Sequence, residues 1–401
     1  VNFLRSILKK NEKDFQPGGK LRRLFPLYEA LDSFLFSTDE RTRSAPHVRD
    51  FLDFKRMMIM VVVAMVPAVI MAFYNTGLQA NLAIAKTGAA AIPKDFHYTI
   101  LRLLKIGFNP ASTLDNFLHG AVYFLPVYIV SLAAGGLWEV LFAVVRKHPI
   151  NEGFLVTSLL FPMILPPTIP LWQTALGISF GVVFAKEVFG GVGMNIWNPA
   201  LAGRAFLFFA YPANISGDSV WIAVNGISSA TPLAQAAEKG VHLSVSWFDS
   251  FIGTIPGSMG ETSTLACLIG AFILILTGIG SWRIMASIVA GMTVTALLFN
   301  LTGSTTNPMF GLSPLWHFVL GGFAFGTVFM ATDPVSAAMT RKGKYFYGLL
   351  IGVVVVLIRV VNPAYPEGMM LAILFGNTFA PIIDHYVVKS RIKKGALQYG
   401  S

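Results

Sequence analysis

From residue 57 onward the chain alternates long apolar stretches with short polar links. A helix that crosses a bilayer needs about 20 apolar residues. Against that length, the pattern predicts ten segments: 57–74, 118–145, 154–165, 171–188, 200–212, 263–280, 284–302, 313–332, 345–361 and 368–388. Several are too short to span alone. The third ends in Pro166-Pro167, the fifth is bounded by Pro199 and Pro212, and the eighth runs into Asp333-Pro334. Short segments interrupted by Pro or Gly at matching places in two halves are characteristic of discontinuous helices in a repeat fold.

A faint repeat supports this. "LPPTIPLWQTALGISFGVVFAKEVFGG" leads to "NPALAGRAF", and "ATDPVSAAMTRKGKYFYGLLIGVVVVLIRVV" leads to "GNTFAPIID". Pro167 then matches Pro334, and Asn198 matches Asn377. Five spans per half force opposite orientations. The expected fold is therefore an all-α integral membrane protein of about ten transmembrane helices, arranged as two inverted five-helix repeats with broken half-helices. The expected divisions are a cytoplasmic amphipathic arm (1–56), a first membrane repeat (57–212), an extracytoplasmic loop (213–262), a second repeat (263–388) and a cytoplasmic tail (389–401).

Composition agrees with this picture. The chain is 54% apolar and 12% charged, where a soluble domain carries about 25% charged residues. The formal charge of +10 does not describe a nucleic-acid surface. Twelve of the thirty Lys and Arg precede Met57, and others cluster at Arg146-Lys147, Arg341 to Lys344 and Lys389 to Lys394. That is the positive-inside pattern, with both termini cytoplasmic. The 213–262 loop, with Asp218, Glu238, Asp249 and Glu261 against Lys239, faces outward. The outward 75–117 loop is a mild exception, with Lys86, Lys94, Arg102 and Lys105. The lone Cys267 leaves no disulfide framework or iron–sulfur ligand set, and the seven His lack metal-ligand spacing. The first fifty residues are polar and basic, unlike a secretory signal. Within them Leu24, Leu27, Tyr28, Leu31, Phe34 and Leu35 form one helical stripe, suited to a membrane surface or to covering a cytoplasmic opening.

The outward loop carries "NGISSATPLA" at 225–234. Thr231 there reads as a helix N-cap, Pro232 as the first helical residue and "LAQAAE" as a short helix. "AAGGLWE" places Gly135-Gly136 within the second span, either for close helix packing or as a slot for a flat ring. "GGVGMNIWNPALAGR" is a poor dinucleotide fingerprint, since no strand precedes it and no acidic partner follows. Irregular backbone lining a polar cavity suits it better.

Glu139, Glu187, Asp333 and Asp384 lie within or at the ends of apolar runs. Buried acids there point to ion traffic. For Glu187 and Asp384, reaching the interface or pairing with Lys186 and His385 is the alternative. Asp333, before Pro334 at a helix break, could join freed carbonyls in oxygen ligation of a small cation.

With these motifs, "FQPGGK", "LYEA", "HVRD", "FKRMMIM", "SSATPLA" and "FMATDPVSA" complete a set spread over essentially the whole chain. The chain resembles the B subunits of the sodium-translocating NADH:quinone oxidoreductases of bacterial membranes. The D subunits of the related Rnf complexes share the later motifs but are less similar in the N-terminal arm. The resemblance implies FMN attached through a phosphoester to Thr231, with Ser228, Ser229 and Ala230 leaving room for a flavin transferase. Ser229 stands where the family usually has Gly, and Asn225 where Asp is frequent.

The resemblance also implies ubiquinone near Gly135 and Gly136, with Glu139 and Glu29 of the arm approaching. It further implies a noncovalent riboflavin, for which Asn195, Asn198 and Asn377 offer amides, and sodium as the transported ion past Asp333, Asp384 and Glu187. NADH is expected on another subunit of the complex, and electrons are expected to arrive from a partner flavoprotein carrying covalent FMN. The expected location is the bacterial inner membrane, in contact with lipid and not with nucleic acid. A plain small-solute transporter with inverted repeats and an Rnf-type electron carrier are the rival readings.

Overall fold

The computed structural model describes residues 54–88, 92–93, 95–147, 153–224, 230–239, 243–362 and 367–399, with Phe15, Gly19, Leu21, Phe25 and Tyr28 of the arm. Nine of the ten apolar stretches fall largely on one helix each, while the eighth, 313–332, is split into two short helices and a π turn. The first half comprises α1 (Phe54–Thr87), a short connecting α2 (Phe96–Leu103), α3 (Thr113–Arg146), α4 (Gly153–Met163), α5 (Leu171–Ala185) and α6 (Pro199–Ala210). Small helices follow: α7 (Pro212–Ile215), α8 (Pro232–Lys239) and α9 (Trp247–Ile252). The second half comprises α10 (Thr264–Leu276), α11 (Trp282–Thr302), α12 (Pro314–Val319), α13 (Phe323–Phe325), α14 (Arg341–Val361) and α15 (Gly368–Tyr399). Among the described residues, five helices, α1, α3, α11, α14 and α15, are long and apolar enough to cross a membrane.

Two boundaries differ from the sequence expectation for physical reasons. Helix α1 continues through Thr87, past the predicted end at 74, because its polar residues are buried and bonded. Asn75 donates to the Ile255 carbonyl (2.8 Å) and Gln79 to that of Thr254 (3.1 Å), so the extension holds the central loop. Asn81 donates to Asn116 (2.8 Å) and meets His119 Nδ1 (2.7 Å) on α3. Helix α15 likewise passes residue 388 without a break.

Small residues set the helix spacing. A Cβ on Gly77 would stand 1.9 Å from the Asn116 carbonyl oxygen, and one on Gly120 1.8 Å from that of Phe73. These two glycines let the backbones of α1 and α3 touch. In the first half α3 packs on α5 and α5 on α6; in the second, α11 packs on α14 and α14 on α15. Helix α10 lies on α1 and joins the halves.

The short helices end inside the protein, where their last carbonyls have no partner in the next turn. At the end of α4, the Met163 carbonyl accepts from Gly260 N (2.7 Å) and the Leu165 carbonyl from Met259 N (3.1 Å). At the end of α12, Arg359 of α14 donates to the carbonyls of His317 and Leu320, both at 2.9 Å. Arg359 is fully buried. The chain then turns at Gly321, whose φ of +63° suits glycine, before α13 runs into a π turn at Gly326–Met330.

Replacing Arg359 with Met removes both charge-assisted bonds and leaves two buried carbonyls unpaired. The expected cost is about 3 kcal/mol or more, read as a lower melting temperature of the purified protein. An unchanged temperature would show that other groups satisfy the break.

Candidate functional site

Two regions gather chemistry. The first surrounds Thr231. The Thr231 side chain accepts from Ala234 N (3.2 Å), and its carbonyl accepts from Gln235 N (2.9 Å). It therefore caps α8, with Pro232 as the first helical residue, as the sequence pattern requires. Gln235 also donates to the Ala230 carbonyl (3.0 Å), which fixes the approach to the cap. Ser228 and Ser229 lie outside the described residues.

Thr231 is half-buried and lines a recess with Gly257, Ser258, Glu261, Gly321 and Glu367. The recess encloses only about 20 Å³. That is room for about one water.

Behind the recess, Arg204 of α6 is buried between two acids. It pairs with Glu261 at 3.3 Å and with Glu367 in close contact, and it donates to Ser258 Oγ (3.3 Å). Thus one guanidinium ties the first half, the central loop and the start of α15 together. Burial pushes the Glu261 carboxyl up to about 7, opposed by Arg204 and reinforced by Glu367.

The second region is a cavity between α1, α4, the turn after α5, and the 332–335 segment. Its lining includes Thr157, Lys186, Asn195, Asn198, Thr332 and Asp333. The cavity encloses about 60 Å³, room for an ion and a water or two.

The turn that forms one wall needs its glycines: Gly190, Gly191 and Gly193 have φ of +123°, +96° and +91°. Among the described residues no strand precedes it. Asn198 caps α6 through the N–H groups of Ala200 (3.0 Å) and Leu201 (3.3 Å). Asn195 spends its amide N–H on the Trp197 carbonyl (3.1 Å), which leaves its oxygen available. Asn377 donates to Tyr347 Oη (2.7 Å) and the Ile373 carbonyl (3.3 Å) and accepts from the Asn198 N–H (3.3 Å). The two asparagines matched in the sequence repeat therefore touch.

Residues 41–393 match the family described as NQR2, RnfD, RnfE. The chain belongs to this family. It is 57% identical over 396 residues to the B subunit of the Na(+)-translocating NADH-quinone reductase of Ectopseudomonas mendocina, covering 98% of each chain. The proteins of the same name from Azotobacter vinelandii and Klebsiella pneumoniae are 57% and 56% identical over 98% of this chain and of their own.

Set against that family, the remaining expected residues divide clearly. Gly135 is occupied by packing, since a Cβ there would stand 2.5 Å from the Phe154 ring. Gly136 is freer, its nearest such contact being 3.5 Å. Glu139 is buried and ion-paired with Lys186. Glu187, also buried, pairs with Arg146 (3.5 Å), and Lys186 is 3.9 Å from it. Asp384 accepts from Met339 N (2.6 Å) and from Thr340 N (3.0 Å) and Oγ1 (2.5 Å), holding the entry to α14. Asp333 accepts from Val335 N (3.2 Å) and Ser336 Oγ (2.7 Å). Glu29 lies outside the described residues.

The sequence reading missed Arg204, Glu367, Arg359 and the role of Lys186. Lys186, Arg204 and Arg359 carried a signal, as cations within apolar runs.

Glu261 holds a proton in the folded protein over a range where the unfolded chain has lost it. Its contribution to stability is therefore full below its ordinary value of 4.5 and is lost as pH rises through about 7. The melting temperature should fall between about pH 4.5 and pH 7 and level off above that, and Glu261→Gln should flatten that fall. An equal slope in the variant would assign the effect to other groups.

Proposed function

We propose that this chain is the membrane subunit of a respiratory NADH:quinone oxidoreductase that reduces ubiquinone and exports sodium across the bacterial inner membrane, with both termini in the cytoplasm. The observation that carries this reading is the 57% identity, over 98% of the chain, to proteins named for that activity. The helices arrange as two inverted repeats. The matching neighbour relations of α3, α5, α6 and α11, α14, α15, and the contact of Asn198 with Asn377, support this arrangement.

FMN linked to Thr231 and riboflavin at the polar cavity would supply the electron carriage, and a hydrocarbon core of about 30 Å is why one carrier does not suffice. The chain's own part is positional. Thr231 presents a hydroxyl at the start of α8, where free amides and the dipole favour a phosphate. Arg204 offsets part of the negative charge that Glu261 and Glu367 bring to the same recess. At the cavity, Asn195 and Asn198 form a polar edge, and Asp333 supplies a carboxylate for a sodium ion. Glu187 and Asp384 continue the ion route.

Ubiquinone approaches Gly136, with Glu139 one turn away and Glu29 of the arm on the other side. Entry beside Gly135 requires the Phe154 ring to move. A partner flavoprotein with its own covalent FMN docks on the outer face near Thr231, and other subunits of the complex, with lipid, cover the apolar flanks.

Purified from the native complex, the peptide containing Thr231 should carry the mass of an FMN phosphoester, and Thr231→Ala should remove it together with the flavin that survives acid denaturation. A variant that keeps covalent flavin on this chain would overturn the assignment.

A further inference from the structure

The polar cavity carries a charge pattern that the sequence does not reveal. Among the described residues, Lys186 is the one basic residue of its lining and Asp333 the one acidic residue. The ammonium of Lys186 does not turn to Asp333. It is ion-paired with Glu139 of α3, and both side chains are almost fully buried, at 3% and 4% exposure.

The reason is local. Helix α5 stops at Ala185, and Lys186 leaves it with φ −124° and ψ −64°, so consecutive side chains diverge. Lys186 then reaches Glu139, while Glu187 meets Arg146 at 3.5 Å and keeps Lys186 at 3.9 Å. Lys186 thus answers Glu139, and Arg146 answers Glu187. Among the described residues Asp333 has no cation within ion-pairing distance; its partners are a hydroxyl and a backbone N–H.

When ionised, Asp333 therefore brings to the cavity one negative charge that no cation among the described residues balances. Such a charge is disfavoured in a half-buried site, so a proton or one cation must accompany it. One monovalent cation balances it, and a divalent cation leaves an excess.

We infer that Lys186 is the fixed counter-charge that limits this cavity to a single monovalent cation, sodium, beside Asp333, and sets the affinity for it. This rests on the reading of Asp333 as an ion-binding carboxylate. Lys186 touches no transported ion. It acts by neutralising Glu139, which would otherwise add a second negative charge within reach of the cavity. The same pair connects the cavity to the Gly136 face of α3, so a change of charge near Glu139 alters sodium binding without contact between the two ligands.

The test uses the whole purified complex, with the melting temperature followed against sodium chloride at constant ionic strength made up with choline chloride. Lys186→Met should lower the half-saturating sodium concentration about tenfold, the effect of one extra buried negative charge at this range. The double variant Lys186→Met with Glu139→Gln restores the original charge count without the ion pair, and should return the sodium response to that of the parent protein. It also remains informative if the single variant is too unstable to purify. A double variant that binds sodium about as tightly as expected for the single one would overturn the inference.

Asp333→Asn should abolish this sodium response. If that response survives, the ion-site reading itself fails. If it is lost while Lys186→Met leaves the half-saturating concentration unchanged, the ion-site reading stands and the role given to Lys186 is wrong.

Discussion

A helix that stops inside a membrane leaves carbonyls that no water can reach, and each must find a donor within the protein. Among the described residues two such breaks are met in two different ways. The first break, after α4, is closed by main-chain N–H groups of Met259 and Gly260. The second, after α12, is closed by the guanidinium of Arg359. Gly260 has little freedom, because a Cβ there would stand 2.4 Å from Met163 Cε. Once these carbonyls are held, the central loop is fixed against the first half, and the recess at Thr231 is fixed with it.

The charged groups follow from the same arrangement. Arg204 is drawn to the junction by Glu261 and Glu367, which come from the loop and from the second half. On the other side of the short helices, the turn after α5 sends Lys186 to Glu139 and Glu187 to Arg146. Both sites are built at the ends of interrupted helices, from side chains that an uninterrupted helix would have turned toward its neighbours or the lipid. The breaks give up regular backbone bonding and create polar space in an apolar protein.

Much of this was legible in the sequence, and the part that was not has a common cause. The apolar stretches gave the helices and Pro166-Pro167 gave the first break, because hydropathy and proline act locally, whereas the second break, inside the predicted 313–332 segment, had only Gly321-Gly322 to mark it. Thr231 as a cap was equally legible, since Thr-Pro before "LAQAAE" is a local signal. The extension of α1 was missed because Asn75, Gln79 and Asn81 look like a loop until their partners, up to 187 residues away, are known. The Arg204–Glu367 pair joins residues 163 apart, and nothing in either neighbourhood announces the other. Lys186 next to Glu187 reads as a local pair, yet its principal partner is 47 residues earlier on another helix. The basic residues Lys86, Arg102 and Lys105 of the 75–117 stretch are exposed, and the structure gives them no charged partner among the described residues.

The most direct test concerns the stitched helix break. Hydrogen–deuterium exchange of the purified protein, read on peptides covering 253–262, reports on the amides of Met259 and Gly260. If these donate to the end of α4, they should exchange as slowly as amides in the middle of α11, although they lie in a loop. Exchange at the rate of an open loop would mean that the carbonyls of Met163 and Leu165 are satisfied in some other way, and the arrangement of both sites would lose its foundation.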